Sequence, residues 1–174
     1  MGYYIGGSVA SSAHGLPRAT LDVDIIADLR SSHVESLVQK LQGAYYIDPD
    51  MIRDAIGQCS SFNVIHLDTT IKIDVFVMGR QPYDKTAFQR AQKGVLAPKL
   101  DFQNFVIATA EDTILHKLYW YREGGGVSER QLSDVIGVMK VQQTELDISY
   151  LRLWAEKLQV LDLLDRALED VGIS

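Results

Sequence analysis

The stretch Leu21-Asp22-Val23-Asp24-Ile25-Ile26 sets two carboxylates one residue apart in an otherwise apolar run. Strand side chains alternate faces, so Asp22 and Asp24 point one way while Val23 and Ile25 point the other. Like charges this close disfavour each other's ionisation, and neither is buried cheaply without a positive partner. A third carboxylate, Asp74, stands in the run IKIDVFV on the same strand face as Lys72 and Phe76. If the two strands are neighbours, Asp22, Asp24 and Asp74 converge. Their oxygens then suit two divalent cations roughly 3.5–4 Å apart, the clamp that stabilises attacking and leaving oxygens in phosphoryl transfer. Hard oxygen donors select magnesium or manganese. The alternative for Asp74 is a salt bridge to Lys72 or Arg80.

Metal ions alone do not hold a triphosphate. The first apolar run, Tyr3 to Ile5, ends in Gly6-Gly7-Ser8. Gly7 lets the backbone approach a ligand closely, and Ser8 brings a hydroxyl to the start of a short helix, where N–H groups and the helix dipole favour anions. His14 and Arg18 lie in the loop that leads on to the aspartates, within reach of a phosphate, although a solvated loop role suits His14 better.

These residues need a framework. The chain has 174 residues, 47% of them hydrophobic, enough for one well-cored domain or a core with a small helical appendage. A net charge of -6 and a pI near 5.1 argue against a broad basic surface for nucleic acid. The single cysteine, Cys59, excludes an internal disulfide and a multi-cysteine zinc site; it fits a reducing cytoplasm and reads as a buried bystander. No apolar run approaches the roughly 20 residues that span a bilayer, and no secretion signal is present. The chain enters its first strand directly after Met1 and Gly2, which leaves open whether a helix precedes it.

Periodicity predicts a mixed α/β sheet over the first part of the chain. LDVDIIADL is a strand. Val34, Leu37, Val38 and Leu41 fall at helical spacing after a Ser31 or Ser32 cap. Asp48 caps a second helix with Pro49 at its first position. FNVIHLD and TIKIDVFV form a hairpin, residues 83–93 a polar helix, and residues 98–109 a further strand. From Ala110 the pattern turns helical: AEDTILHKLYWYREGG, then ERQLSDVIGVMKVQ, then one segment SYLRLWAEKLQVLDLLDRALEDV. No linker intervenes, so residues 1–109 read as the α/β core and 110–174 as a helical region packed on it.

Gly7 and Ser8, the Asp22 and Asp24 pair and the later Asp74, in that order, resemble the nucleotidyltransferases of the DNA polymerase β superfamily. The further pattern GSVAS, EDTILHKL and RQLSDV resembles its minimal members of the abortive-infection toxin type, called AbiEii-like. The resemblance spans nearly the whole chain. It implies a nucleotidyltransferase-like mixed sheet flanked by helices. It makes Gly7 and Ser8, with Ser11, the phosphate-holding turn, and Asp22, Asp24 and Asp74 the metal-binding and catalytic carboxylates, with Asp74 helping to activate the acceptor hydroxyl. Lys117 and Asp134 would lie near the nucleotide. For these two the residues alone also allow ion pairs on their own helices, Lys117 with Glu111, Asp112 or Glu123 and Asp134 with Arg130. Tyr119, Trp120 and Tyr121 could stack on a base, but consecutive helical positions point around the helix, which makes most of them core.

The implied activity is metal-dependent transfer of a nucleoside monophosphate from a nucleoside triphosphate to an acceptor hydroxyl with release of pyrophosphate. Toxin-type relatives imply an RNA end or a protein side chain as acceptor, and a cognate antitoxin protein as partner; small antibiotics are acceptors elsewhere in the superfamily. The alternative is a catalytically silent nucleotide-binding or partner-regulated module.

Overall fold

A computed structural model describes residues 1–94 and 105–173. The chain runs β1 (Tyr3–Ile5), α1 (Gly7–His14), β2 (Asp22–Ala27), α2 (Val34–Leu41), β3 (Tyr45–Tyr46), α3 (Pro49–Gln58), β4 (Ser61–His66), β5 (Lys72–Val77), α4 (Pro82–Arg90), β6 (Gln92–Gly94), β7 (Phe105–Ile107), α5 (Ala110–Glu123), α6 (Glu129–Gln142), α7 (Ile148–Lys157) and α8 (Leu161–Val171). The strands form one mixed sheet in the order β3-β4-β5-β2-β1-β7-β6. Strands β2 and β5 pair in parallel, as do β1 and β7, and the other neighbours are antiparallel. The mixed α/β class follows as the periodicity implied.

Alternation along β2 and β5 sorts the sheet into two faces. Ile25, Ala27, Ile73, Val75 and Val77 join Phe62 and Val64 in an apolar layer covered by α2 and α3, with Val34, Ile52 and Ala55 fully buried between them. The opposite face carries Asp22, Asp24, Asp74, Ile26 and Phe76. A second core lies among the C-terminal helices, where Ile114, Leu115, Leu118, Val135, Val138, Met139, Leu151 and Leu164 are fully buried. Burying a side chain of this size stabilises by roughly 1.5–3 kcal/mol, so these helices hold together through their own apolar stripes. Helix α1 joins a third, smaller cluster to the helices: Ala10 packs with Tyr4 and Ile107, while Gly15 ends the helix against α6, where a Cβ would lie 2.7 Å from the Val138 nitrogen.

Three sequence expectations change. Ser31 and Ser32 do not cap α2; with His33 they form a 3-10 turn ahead of it. The polar helix expected over residues 83–93 ends at Arg90, and Gln92–Gly94 pair with β7 as β6, while Tyr45 and Tyr46 add a short edge strand on β4. The final segment is two helices. Gln159 adopts φ 58°, Val160 N–H donates to the Ala155 carbonyl at 2.8 Å and Gln159 N–H to that of Glu156 at 3.1 Å, the double bond pattern that closes a helix end. Asp48 does cap α3, its carboxylate accepting from the N–H groups of Asp50 and Met51. The expected strand over residues 98–109 is seen at Phe105–Ile107; residues 98–104 lie outside the described part. Among the described residues no helix is long and apolar enough to cross a membrane.

A polar knot ties α5 to α4 and α7. The fully buried Asp112 accepts from the Thr109 hydroxyl (2.8 Å), the Tyr150 hydroxyl (2.7 Å) and Arg90 Nε (3.3 Å). Arg90 also reaches Glu111 and lies 3.9 Å over the Tyr150 ring. Burial and the adjacent Asp112 push the Tyr150 hydroxyl well above its ordinary pKa, so it remains a donor. Asp112→Ala strips these donors of their acceptor, and urea unfolding should register a loss of about 3 kcal/mol or more; a loss within experimental error would mean that the knot is not structural.

Candidate active site

Strand β1 ends where β2 and β5 begin, so one end of the sheet gathers the Gly6-Gly7-Ser8 turn and the aspartates. Parallel pairing sets Asp24 opposite Asp74 and Asp22 opposite Lys72. The two strands are thus neighbours, as strand alternation required for the aspartates to share one face. Gly6 N–H donates to the Asp24 carbonyl at 3.0 Å, and the Asp24 side chain lies directly over Gly7. Gly7 has φ +53°, and a Cβ there would collide with the Asp24 carboxylate. Glycine is required twice over, by its dihedral and by that approach.

Asp24 is the strained member of the group. Burial first, then the charge of Asp74, raises its carboxyl above the usual range, against the opposing pull of Lys117 and a hydrogen bond from Ser8 N–H. Asp74 is engaged elsewhere: Lys72 Nζ stands 2.8 Å from Asp74 Oδ2 and 4.0 Å from Asp22 Oδ1. The salt-bridge alternative for Asp74 is thus present beside the carboxylate set. Among the described residues no three Asp, Glu, His or Cys side chains stand close enough to hold a metal ion as they are, because Asp74 is turned toward Lys72. The donor chemistry still suits a hard cation: Asp22 and Asp24 offer carboxylate oxygens on one strand face.

A second network lies beside the turn. Asp134 on α6 accepts two bonds from the Arg18 guanidinium, at 2.8 Å each, and one from Lys117 Nζ at 2.7 Å. Arg18 Nη2 also donates to the Ser8 hydroxyl at 2.6 Å. Burial pushes the Asp134 carboxyl up, but the bonds from Arg18 and Lys117 outweigh it and hold the group below the usual carboxylate range. Lys117 and Asp134 therefore pair with each other across α5 and α6, and neither takes the same-helix partner considered from spacing. Ser11 is buried on α1, donating to the Ser8 carbonyl at 3.1 Å, and serves the turn from behind. His14 is committed to the Ala108 carbonyl at 2.6 Å and takes no part.

A cleft of about 1500 Å³ opens between this end of the sheet and the helices, lined among others by Gly7, Ser8, Asp24, Lys117, Phe76 and Trp120. Trp120 is 52% exposed, its ring 6.5 Å from that of Phe76. Tyr119 also lines the cleft, and so does Cys59, half-buried at the left-handed end of α3 rather than fully buried. Gln131 was not singled out by sequence; its Oε1 is buried in the cleft wall without a partner. It stands three residues before Asp134, a spacing that puts both on one helix face.

No family model and no curated protein matches the chain. Solved structures do. The antibiotic-resistance factor ANT(2'')-Ia is 17% identical over 97% of this chain and 84% of its own, with a TM-score of 0.53. The fold is nucleotidyltransferase-like. The lincosamide antibiotic adenylyltransferase LnuA, solved with lincomycin bound, is 16% identical over 80% of this chain and 86% of its own, at a TM-score of 0.46.

The raised Asp24 carboxyl makes a signed prediction. A carboxyl raised in the folded state favours folding while protonated, and that contribution is lost as pH rises through the folded value. Asp24→Asn should therefore melt a few degrees above the parent at pH 7, with the gap closing as the pH is lowered into the carboxylate range. A melting temperature below the parent at pH 7 would contradict the repulsion argument.

Proposed function

We propose that the protein is a nucleotidyltransferase: an acceptor hydroxyl attacks the α-phosphorus of a nucleoside triphosphate, the bond to the β-phosphate oxygen breaks, and pyrophosphate leaves. The observation that carries this is the register that sets Asp24 beside Asp74, with the Asp24 carboxylate directly over the Gly7 turn and at the wall of a cleft large enough for a nucleotide and an acceptor. The nucleotidyltransferase-like fold supports it.

Gly7, Ser8 and the start of α1 would receive the phosphates through backbone N–H groups. The Asp24 carboxylate lies over Gly7 at the mouth of that turn, so a cation on Asp24 would stand beside the phosphates. Asp22 and Asp24 would hold a magnesium or manganese ion, with Asp74 the third carboxylate beside them. Such an ion supplies charge neutralisation for the triphosphate and the departing pyrophosphate. Lys117, Asp134 and Arg18 hold Ser8 and the two helices in place. Asp74 would accept the acceptor's proton as its oxygen bonds to phosphorus. Phe76 and Trp120 offer an aromatic surface for a ring of the nucleotide or acceptor.

Cations that line the cleft already have partners: Lys117 on Asp134, Arg122 on Asp162, and Lys157 over the Trp154 ring. Together with the net charge of -6, this favours a protein side chain or a small hydroxylated molecule as acceptor over an RNA end, whose phosphates need free Lys and Arg. The AbiEii-like, toxin-type assignment and an antitoxin partner draw their support from the sequence resemblance; a reducing cytoplasm draws its support from the single free cysteine. The division into residues 1–109 and 110–174 draws its support from the apolar core that the C-terminal helices share, into which α4 also sends Tyr83 and Ala87.

Incubation with each α-labelled nucleoside triphosphate, magnesium or manganese, and total cell extract should transfer label to an acceptor. Asp22→Asn and Asp24→Asn should abolish transfer, Asp74→Asn should lower it by several orders of magnitude while retaining nucleotide binding, and Ser8→Ala should mainly raise the apparent nucleotide constant. Unchanged turnover in all three aspartate variants would overturn the proposal.

A further inference from the structure

Lys72 reaches the carboxylates by register rather than through a chance side-chain conformation. It is the cross-strand partner of Asp22 on β2 and stands two residues before Asp74 on β5, so its stem rises from the same sheet face as all three aspartates. Its ammonium lies 2.8 Å from Asp74 and 4.0 Å from Asp22. The Asp74 side chain is only 17% exposed, which leaves that oxygen little freedom to seek another partner. A divalent cation bound to the same oxygen, at the roughly 2.0–2.1 Å that magnesium requires, would face the ammonium at close range, and like charges so placed repel.

We propose that Lys72 is a built-in cation at the third carboxylate, so that the site takes one divalent ion with the nucleotide, on Asp22 and Asp24, and not two. Lys72 then orients Asp74 so that its other oxygen faces the acceptor hydroxyl. This makes Lys72 a positioning residue, and it rests on the nucleotidyltransferase reading of the same site.

The test counts manganese by electron paramagnetic resonance, per nucleotide bound, with the α,β-methylene analogues of the four common nucleoside triphosphates as probes. The parent protein should hold one manganese per bound nucleotide. Lys72→Met should hold two, the second titrating separately, and Lys72→Arg should return to one, which also controls for folding. Two manganese ions in the parent, or one in Lys72→Met, would overturn the role of Lys72 while leaving the nucleotidyltransferase reading intact. Failure of the parent to bind any analogue in the presence of manganese would overturn both.

Discussion

The carboxylate of Asp134 is 7% exposed and carries bonds from Arg18 and Lys117, and the cleft depends on it. Arg18 comes from the loop between α1 and β2, Lys117 from α5 and Asp134 from α6, and Arg18 continues to the Ser8 hydroxyl. One buried anion thus joins the Gly6-Gly7-Ser8 turn of the sheet to the helical part. Burying an ion is costly unless its partners are well placed, and the two-pronged arginine with the buried lysine meets that condition. Removing the carboxylate would leave two cations facing each other, a loss of about 3–5 kcal/mol for a broken buried pair. It would also release Ser8.

Beside that satisfied network stands an unsatisfied one. Asp24 is held over Gly7 with its charge opposed by burial and by Asp74, and it draws on Ser8 N–H for relief. A cation on Asp24 would neutralise charge that a phosphate at the neighbouring turn otherwise faces, which couples cation binding to nucleotide binding. The contrast between the two aspartates is physical: Asp134 has cations on both oxygens, whereas Asp24 has carboxylates for neighbours.

Much of this was legible before any coordinates. Strand alternation put Asp22 and Asp24 on one face, the hairpin delivered Asp74, and Pro49 after Asp48 marked a helix start, because each signal is local and has one geometric meaning. Long-range pairing was not legible. Arg18 and Asp134 lie 116 positions apart, so spacing offered Arg130 as the partner instead. The edge strand at Tyr45–Tyr46 is too short for alternation to register, and the break before α8 is made by a Gln in the left-handed region, where glycine is the usual signal. Lys72 was visible as a neighbour of Asp74, but only the β2–β5 register shows that it also faces Asp22.

The coupling between cation and nucleotide is the central claim, and calorimetry tests it directly. Nucleoside triphosphates titrated into the protein in magnesium and again in chelator should bind in the first case and lose most of their affinity in the second, with the affinity in magnesium weakening as the pH falls and Asp24 takes up its proton. Equal affinity with and without the divalent ion would contradict the account.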